Sequence, residues 1–174
     1  MTREGKRLPR NYTRFRLCLP TAVGQNEPAR LGPQQVDGPV GPGRVETRGA
    51  DDFIESIGVA LESERKLLRR LADWAIGLER QGLAELWTTS GASGRKVLKP
   101  CLPDEGVGLV TIFNDGRGTM AVWRTRFQTS APGALSCLEG IGVEVGQGNN
   151  LPEVTDEILG LLAEAYREAA DSQA

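Results

Sequence analysis

The sequence predicts an α+β domain: a long N-terminal helix, a four- or five-stranded antiparallel meander sheet, and a C-terminal helix packed on one sheet face. Three observations carry this. An apolar row at three- and four-residue spacing runs from Ile54 to Leu78. Four strand-like runs follow, joined by short links rich in Gly, Asp, Asn and Ser. A second helical stripe, Ile158, Leu161, Leu162, Ala165, Tyr166 and Ala169, closes the chain.

Residues 1–48 read as a basic, Pro/Gly-rich arm and linker, and residues 49–174 as a single α+β domain. The first 48 residues hold nine Lys/Arg against four Asp/Glu, a net of +5, and the remainder holds twelve against nineteen, a net of −7. Such asymmetry separates a tail from a folded body. From Leu17 to Gly49 there are six glycines and five prolines. Proline removes backbone donors and glycine raises the entropy that ordering must overcome. Few apolar residues offset that cost, so the stretch is expected to be disordered. Ahead of it, Arg7, Arg10, Tyr12, Arg14, Phe15 and Arg16 interleave bases with aromatics. That pattern suits weak, non-specific nucleic-acid binding, with stacking on single strands.

The helical row comprises Ile54, Ile57, Leu61, Leu68, Leu71, Ala75 and Leu78. Asp52 with Glu55 resembles a capping pair at its start, and Gly82 sits where a left-handed cap is wanted. The 30 residues from Asp52 to Gln81 would make a helix of about 45 Å. A body of 126 residues is only about 35 Å across. The helix therefore either breaks, at Gly58, or overhangs and meets a partner. Its other face carries Arg65, Lys66, Arg69 and Arg70, a solvated face that could grip an acidic partner. Glu62 with Lys66, and Arg69 with Asp73, have the spacing of ion pairs.

The expected strands are Leu83–Thr89, Arg95–Leu102, Val107–Asn114 and Thr119–Phe127. Their connections are too short for parallel crossovers, so the sheet is an antiparallel meander. One helical turn is expected over Leu135–Glu139, and Val143 with Val145 suit a short edge strand. The final helix runs from about Thr155 to Ala170, with Thr155 as N-cap.

Composition excludes several chemistries. There is no histidine, which removes His-based triads, His general bases and mixed Cys/His zinc sites. Cys18, Cys101 and Cys137 are widely spaced and odd in number, so neither a disulfide framework nor a thiolate metal cage is expected. No cofactor or metal is called for. No apolar run reaches membrane-spanning length and no secretory signal is visible, so the expected location is cytoplasmic, away from membranes. The glycine-rich stretch Gly140–Asn150 lacks the Lys-Ser/Thr of a phosphate-binding loop.

Pro103-Asp104 and, further on, Asp115-Gly116-Arg117 resemble the PD-(D/E)xK nuclease pattern, with Glu62 or Glu64 as the helical acid. The resemblance implies a metal-dependent phosphodiesterase. The chain departs from it: Arg117 stands where the pattern has lysine, and Asp115 sits in an Asp-Gly turn. Ordinary turn chemistry accounts for these residues better. The sequence therefore points first to a non-enzymatic binding or regulatory module that associates with itself or another protein, and second to the nuclease.

Overall fold

The computed structural model describes residues 45–91, 95–114 and 119–172. In chain order the elements are β1 (Val45–Arg48), α1 (Asp51–Ile57), α2 (Glu62–Arg80), β2 (Glu85–Ser90), β3 (Lys96–Cys101), β4 (Val110–Asn114), β5 (Thr119–Trp123), α3 (Arg124–Ser130), α4 (Pro132–Gly140), β6 (Gln147–Asn150) and α5 (Asp156–Asp171). The strands form one six-stranded sheet in the order β1 to β6, with every neighbouring pair antiparallel. The α+β class and the meander stand. The strand and helix counts do not.

The long N-terminal helix is two helices. The chain leaves helical conformation at Gly58–Leu61 and re-enters it at Glu62, so the 45 Å rod never forms. Gly58 closes α1 with its N–H on the Glu55 carbonyl, and the Val59 N–H reaches that of Ser56. The break divides the apolar row. Ile57, Leu68, Leu71, Ala75 and Leu78 are buried, while Ile54 and Leu61 are exposed at 42% and 62%. Asp52 and Glu55 form no capping box, because Ala50 is the N-cap and the Asp52 carboxylate accepts instead from Thr47 Oγ1. Gly82 does terminate α2 as expected. At φ +72° its N–H reaches the Glu79 carbonyl, and the Leu83 N–H reaches that of Leu78.

Three further elements differ from the expectation. Val45–Arg48 forms the edge strand β1, so the sheet begins inside the stretch read as linker, and residues 1–44 lie outside the described residues. The fourth strand ends at Trp123 and turns into α3, because the buried positions change from Met120 and Val122 to Phe127, Ser130 and Ala131. The edge strand expected around Val143 and Val145 is displaced to Gln147–Asn150, and Val145 is buried in the core instead.

A single apolar core lies between one sheet face and the helices. Leu86, Leu98, Ile112, Met120 and Val122 supply the sheet side. Phe53, Leu71, Phe127, Leu138 and Leu162 represent the five helices. Thr155 caps α5 by accepting from the Ile158 N–H at 3.2 Å. The helix packs mainly against α4, α3 and α2, and Tyr166 reaches the sheet through its hydroxyl.

The start of α4 is held from a distance. Pro132 opens it, and the two oxygens of Glu168 on α5 accept from the Gly133 and Ala134 N–H groups, each at 2.8 Å. A carboxylate at this position satisfies two orphan donors and faces the positive end of the helix dipole. Glu168→Ala is expected to cost about 1–2 kcal/mol. Glu168→Gln, which keeps one acceptor, should cost less. Urea unfolding of both variants checks the order, and equal costs would contradict it.

Candidate interaction face

Strand register assigns each side chain to a face. The pairs Leu86–Pro100, Leu98–Ile112, Ile112–Met120 and Val110–Val122 place their members on the helix side. The intervening residues point the other way. They include Trp87, Val97, Thr111, Phe113, Ala121 and Trp123. The buried residues of all five helices belong to the core on the first face. Among the described residues, no helix covers the second.

This second face is not an ordinary solvated one. Val97 lies directly opposite Phe113, and both are half-buried, as are Trp87 and Trp123. The smaller side chains between them, Thr111 and Ala121, are buried. Trp123 is fixed across the strands: its Nε1–H donates to Thr111 Oγ1 at 3.0 Å. Its ring also occupies the space beside Gly148, where a Cβ would come within 3.1 Å of ring carbons. Gly148 has φ +77°, so the position excludes side chains on both conformational and steric grounds.

Charge on this face collects at its β1–β3 side and cancels there. Glu46 accepts from Lys99 Nζ at 3.2 Å and from Thr89 Oγ1 at 3.1 Å. Arg48 pairs with Glu85 at 2.7 Å. Two acids and two bases leave the rim neutral beside an apolar, aromatic centre.

Cys101 shares this face and is buried at 3% exposure. Burial pushes its thiol from 9.0 up to about 11, with Lys99 opposing and Glu46 and Glu85 adding to the rise. The thiol is thus held protonated and is a poor nucleophile at neutral pH. The linkage predicts alkaline instability. Below pH 9 both folded and unfolded chains keep the proton, so the contribution is fully present. Between about pH 9 and 11 the unfolded chain releases it first, and stability falls. The urea midpoint should drop over that window, and the drop should be shallower in Cys101→Ser.

Residues singled out by sequence have other placements. Arg65 donates to the Ala60 carbonyl at 2.9 Å and steadies the α1–α2 corner. Arg70 reaches the Val154 carbonyl at 2.9 Å and Asp156 at 2.6 Å, tying α2 to the start of α5. Lys66 and Arg69 remain exposed. Two of the four bases therefore serve the fold. Glu62 is exposed in the first turn of α2, and Asp104 is exposed in the turn after β3. Asp115 and Arg117 lie outside the described residues, as do Arg7, Arg10, Tyr12, Arg14, Phe15 and Arg16. Among the described residues no three His, Cys, Asp or Glu side chains converge on a metal position. No described helix is long and apolar enough to cross a membrane.

A shallow cleft of about 440 Å³ lies at the ends of α2 and α5, lined by Gln81, Leu83, Arg167 and Asp171. Arg167 is already bonded to Glu164 and Gln81, so the cleft gathers no group poised for chemistry.

The face was visible in the sequence only as extra apolar content. In Val110–Phe113 both alternating sets carry a large apolar residue, Val110 and Ile112 on one side and Phe113 on the other. A strand with one solvated face shows cleaner alternation. Comparison with protein-family models, curated proteins and solved structures finds no match.

Proposed function

We propose that the protein is a non-enzymatic binding module that associates with another polypeptide through the helix-free face of its sheet. The observation that carries this reading is the group Trp87, Val97, Phe113 and Trp123, held half-buried on a face that no described helix covers. Aromatic side chains on a rigid strand framework supply large contact area at little entropic cost. Neutrality of the rim favours a polypeptide over nucleic acid. Lys99 and Arg48 are spent on Glu46 and Glu85, and the chain from residue 45 onward carries a net −7, which repels a polyanion.

The test compares the full chain with a Trp87→Asp, Phe113→Asp double variant as bait in the lysate of the source cells. Far-UV circular dichroism first establishes that the variant is folded. Proteins retained by the wild type and released by the double variant are the expected result. An identical set on both baits would sink the reading.

A further inference from the structure

We propose that the chain self-associates through its edge strand β1, which pairs antiparallel with β1 of a second copy about a two-fold axis at Thr47. This concerns the rim of the sheet and stands whether or not the helix-free face binds a polypeptide.

The sheet runs open from β1 to β6, so it has two edges. An edge strand presents unpaired N–H and C=O groups that can template a further strand. The β6 edge is blunted. Val122 pairs with Asn149 and Trp123 with Gln147, so Gly148 is an extra residue, a bulge at φ +77° that interrupts the outer row. β1 is regular, with an unbroken register to β2 and neither proline nor glycine. All four of its residues are exposed, and among the described residues no strand lies beyond it.

The phase of the β1–β2 ladder fixes which backbone groups point outward. The Gly49 N–H donates to the Leu86 carbonyl at 2.7 Å, in register with the pairs Thr47–Thr88 and Val45–Ser90. Val45, Thr47 and Gly49 therefore turn their backbone groups to β2. Glu46 and Arg48 alternate with them and turn theirs to the free edge. Two copies can form a ladder only where outward residues meet. A two-fold axis at Glu46 sets Glu46 against itself, and one at Arg48 sets Arg48 against itself. An axis at Thr47 sets Glu46 against the partner's Arg48, and Arg48 against the partner's Glu46. Opposite charges directly across a ladder stabilise it and like charges oppose it, so only the register centred on Thr47 is self-complementary.

The side chains suit this register. Glu46 takes its bonds from Lys99 and Thr89 on Oε1, which leaves Oε2 for the partner. Arg48 meets Glu85 through Nη2 alone, and its side chain is 67% exposed. Val45 falls opposite the partner's Gly49, which has no side chain to obstruct it. The paired edges put both helix-free faces on one side, side by side.

The test is sedimentation velocity on the full chain from roughly micromolar to millimolar concentration. A short edge pairing should give a weak, reversible dimer. Glu46→Arg alone and Arg48→Glu alone each create two like-charge pairs, and each should raise the dissociation constant about tenfold or more. An equimolar mixture of the two variants should dimerise as the wild type does, because each supplies the charge that the other lacks. Circular dichroism checks that both are folded, and Glu46→Lys with Arg48→Asp replaces them if either is not. Loss of the pairs to Lys99 or Glu85 within one chain would not be rescued by mixing. A wild type that stays monomeric throughout, single variants that dimerise undiminished, or a mixture that restores nothing would each overturn the proposal. So would a dimer that ignores these charges and is abolished by Trp87→Asp, Phe113→Asp, since the copies would then meet through the face.

Discussion

Tyr166→Phe is expected to destabilise the fold by about 1–3 kcal/mol, although it removes a single oxygen. The Tyr166 side chain is fully buried, and its hydroxyl donates to the Pro100 carbonyl at 2.7 Å. That carbonyl needs a partner because the sheet is irregular there. The β3–β4 register holds from Lys96–Asn114 to Leu98–Ile112, then slips by one residue before the Cys101–Gly108 bridge. A slip of this kind interrupts the ladder, and Pro100 sits within the interruption. The phenol reaches the freed oxygen from α5, so one bond both repairs the strand and anchors the C-terminal helix. Removing it strands a buried acceptor. Tyr166→Ala should cost more, about 3–5 kcal/mol, by also emptying the ring's site. That ring meets Trp74 edge-on at 6.2 Å, and Trp74 in turn donates to the Leu159 carbonyl at 3.1 Å. Urea unfolding gives both values. A Phe variant as stable as the wild type would show that the bond contributes nothing net.

How much of this was legible in the sequence depends on whether the signal is local. Thr155 and the stripe of α5 announce the helix within one turn of its start, and Gly82 marks the end of α2, because capping is read from a few adjacent residues. The strands β2 to β5 were legible for the same reason. β1 was not. All four of its residues are exposed, so it has no apolar pattern, and its partner β2 lies about forty residues on. The free backbone edge of β2 recruits it, and Glu46 and Arg48 then pair with Lys99, Thr89 and Glu85 across the sheet. α3 was hidden because a single core residue in its length, Phe127, marks the new period. The candidate face was half legible: the sequence shows Trp87, Val97, Phe113 and Trp123 as strand residues. It cannot show that all five described helices go to the other side, since that follows from packing between distant elements.

The steric counterpart of Tyr166 is Gly108, and Gly108→Ala is expected to cost about 3 kcal/mol, the upper end for overpacking. A Cβ there would lie 2.7 Å from the Pro100 oxygen and 3.0 Å from the Val110 oxygen. Both obstacles are backbone, so neither can be relieved by turning a side chain. The strand must move, and the oxygen it displaces is the one that Tyr166 holds. The two substitutions should therefore be coupled. Once Gly108→Ala has shifted the Pro100 carbonyl, losing the phenol matters less, and the double variant should cost less than the two singles added. A coupling of about 0.5–3 kcal/mol is the range for residues that share a partner. Gly160→Ala provides the control. It lies exposed within α5 with nothing inside 4 Å of an added Cβ. There the change should stabilise by about 0.5–1 kcal/mol, since alanine is the better helix former. Urea midpoints and slopes for the three singles and the double complete the cycle. Simple additivity of Gly108→Ala and Tyr166→Phe would mean that they act on separate parts of the sheet, and the shared-carbonyl account would be wrong.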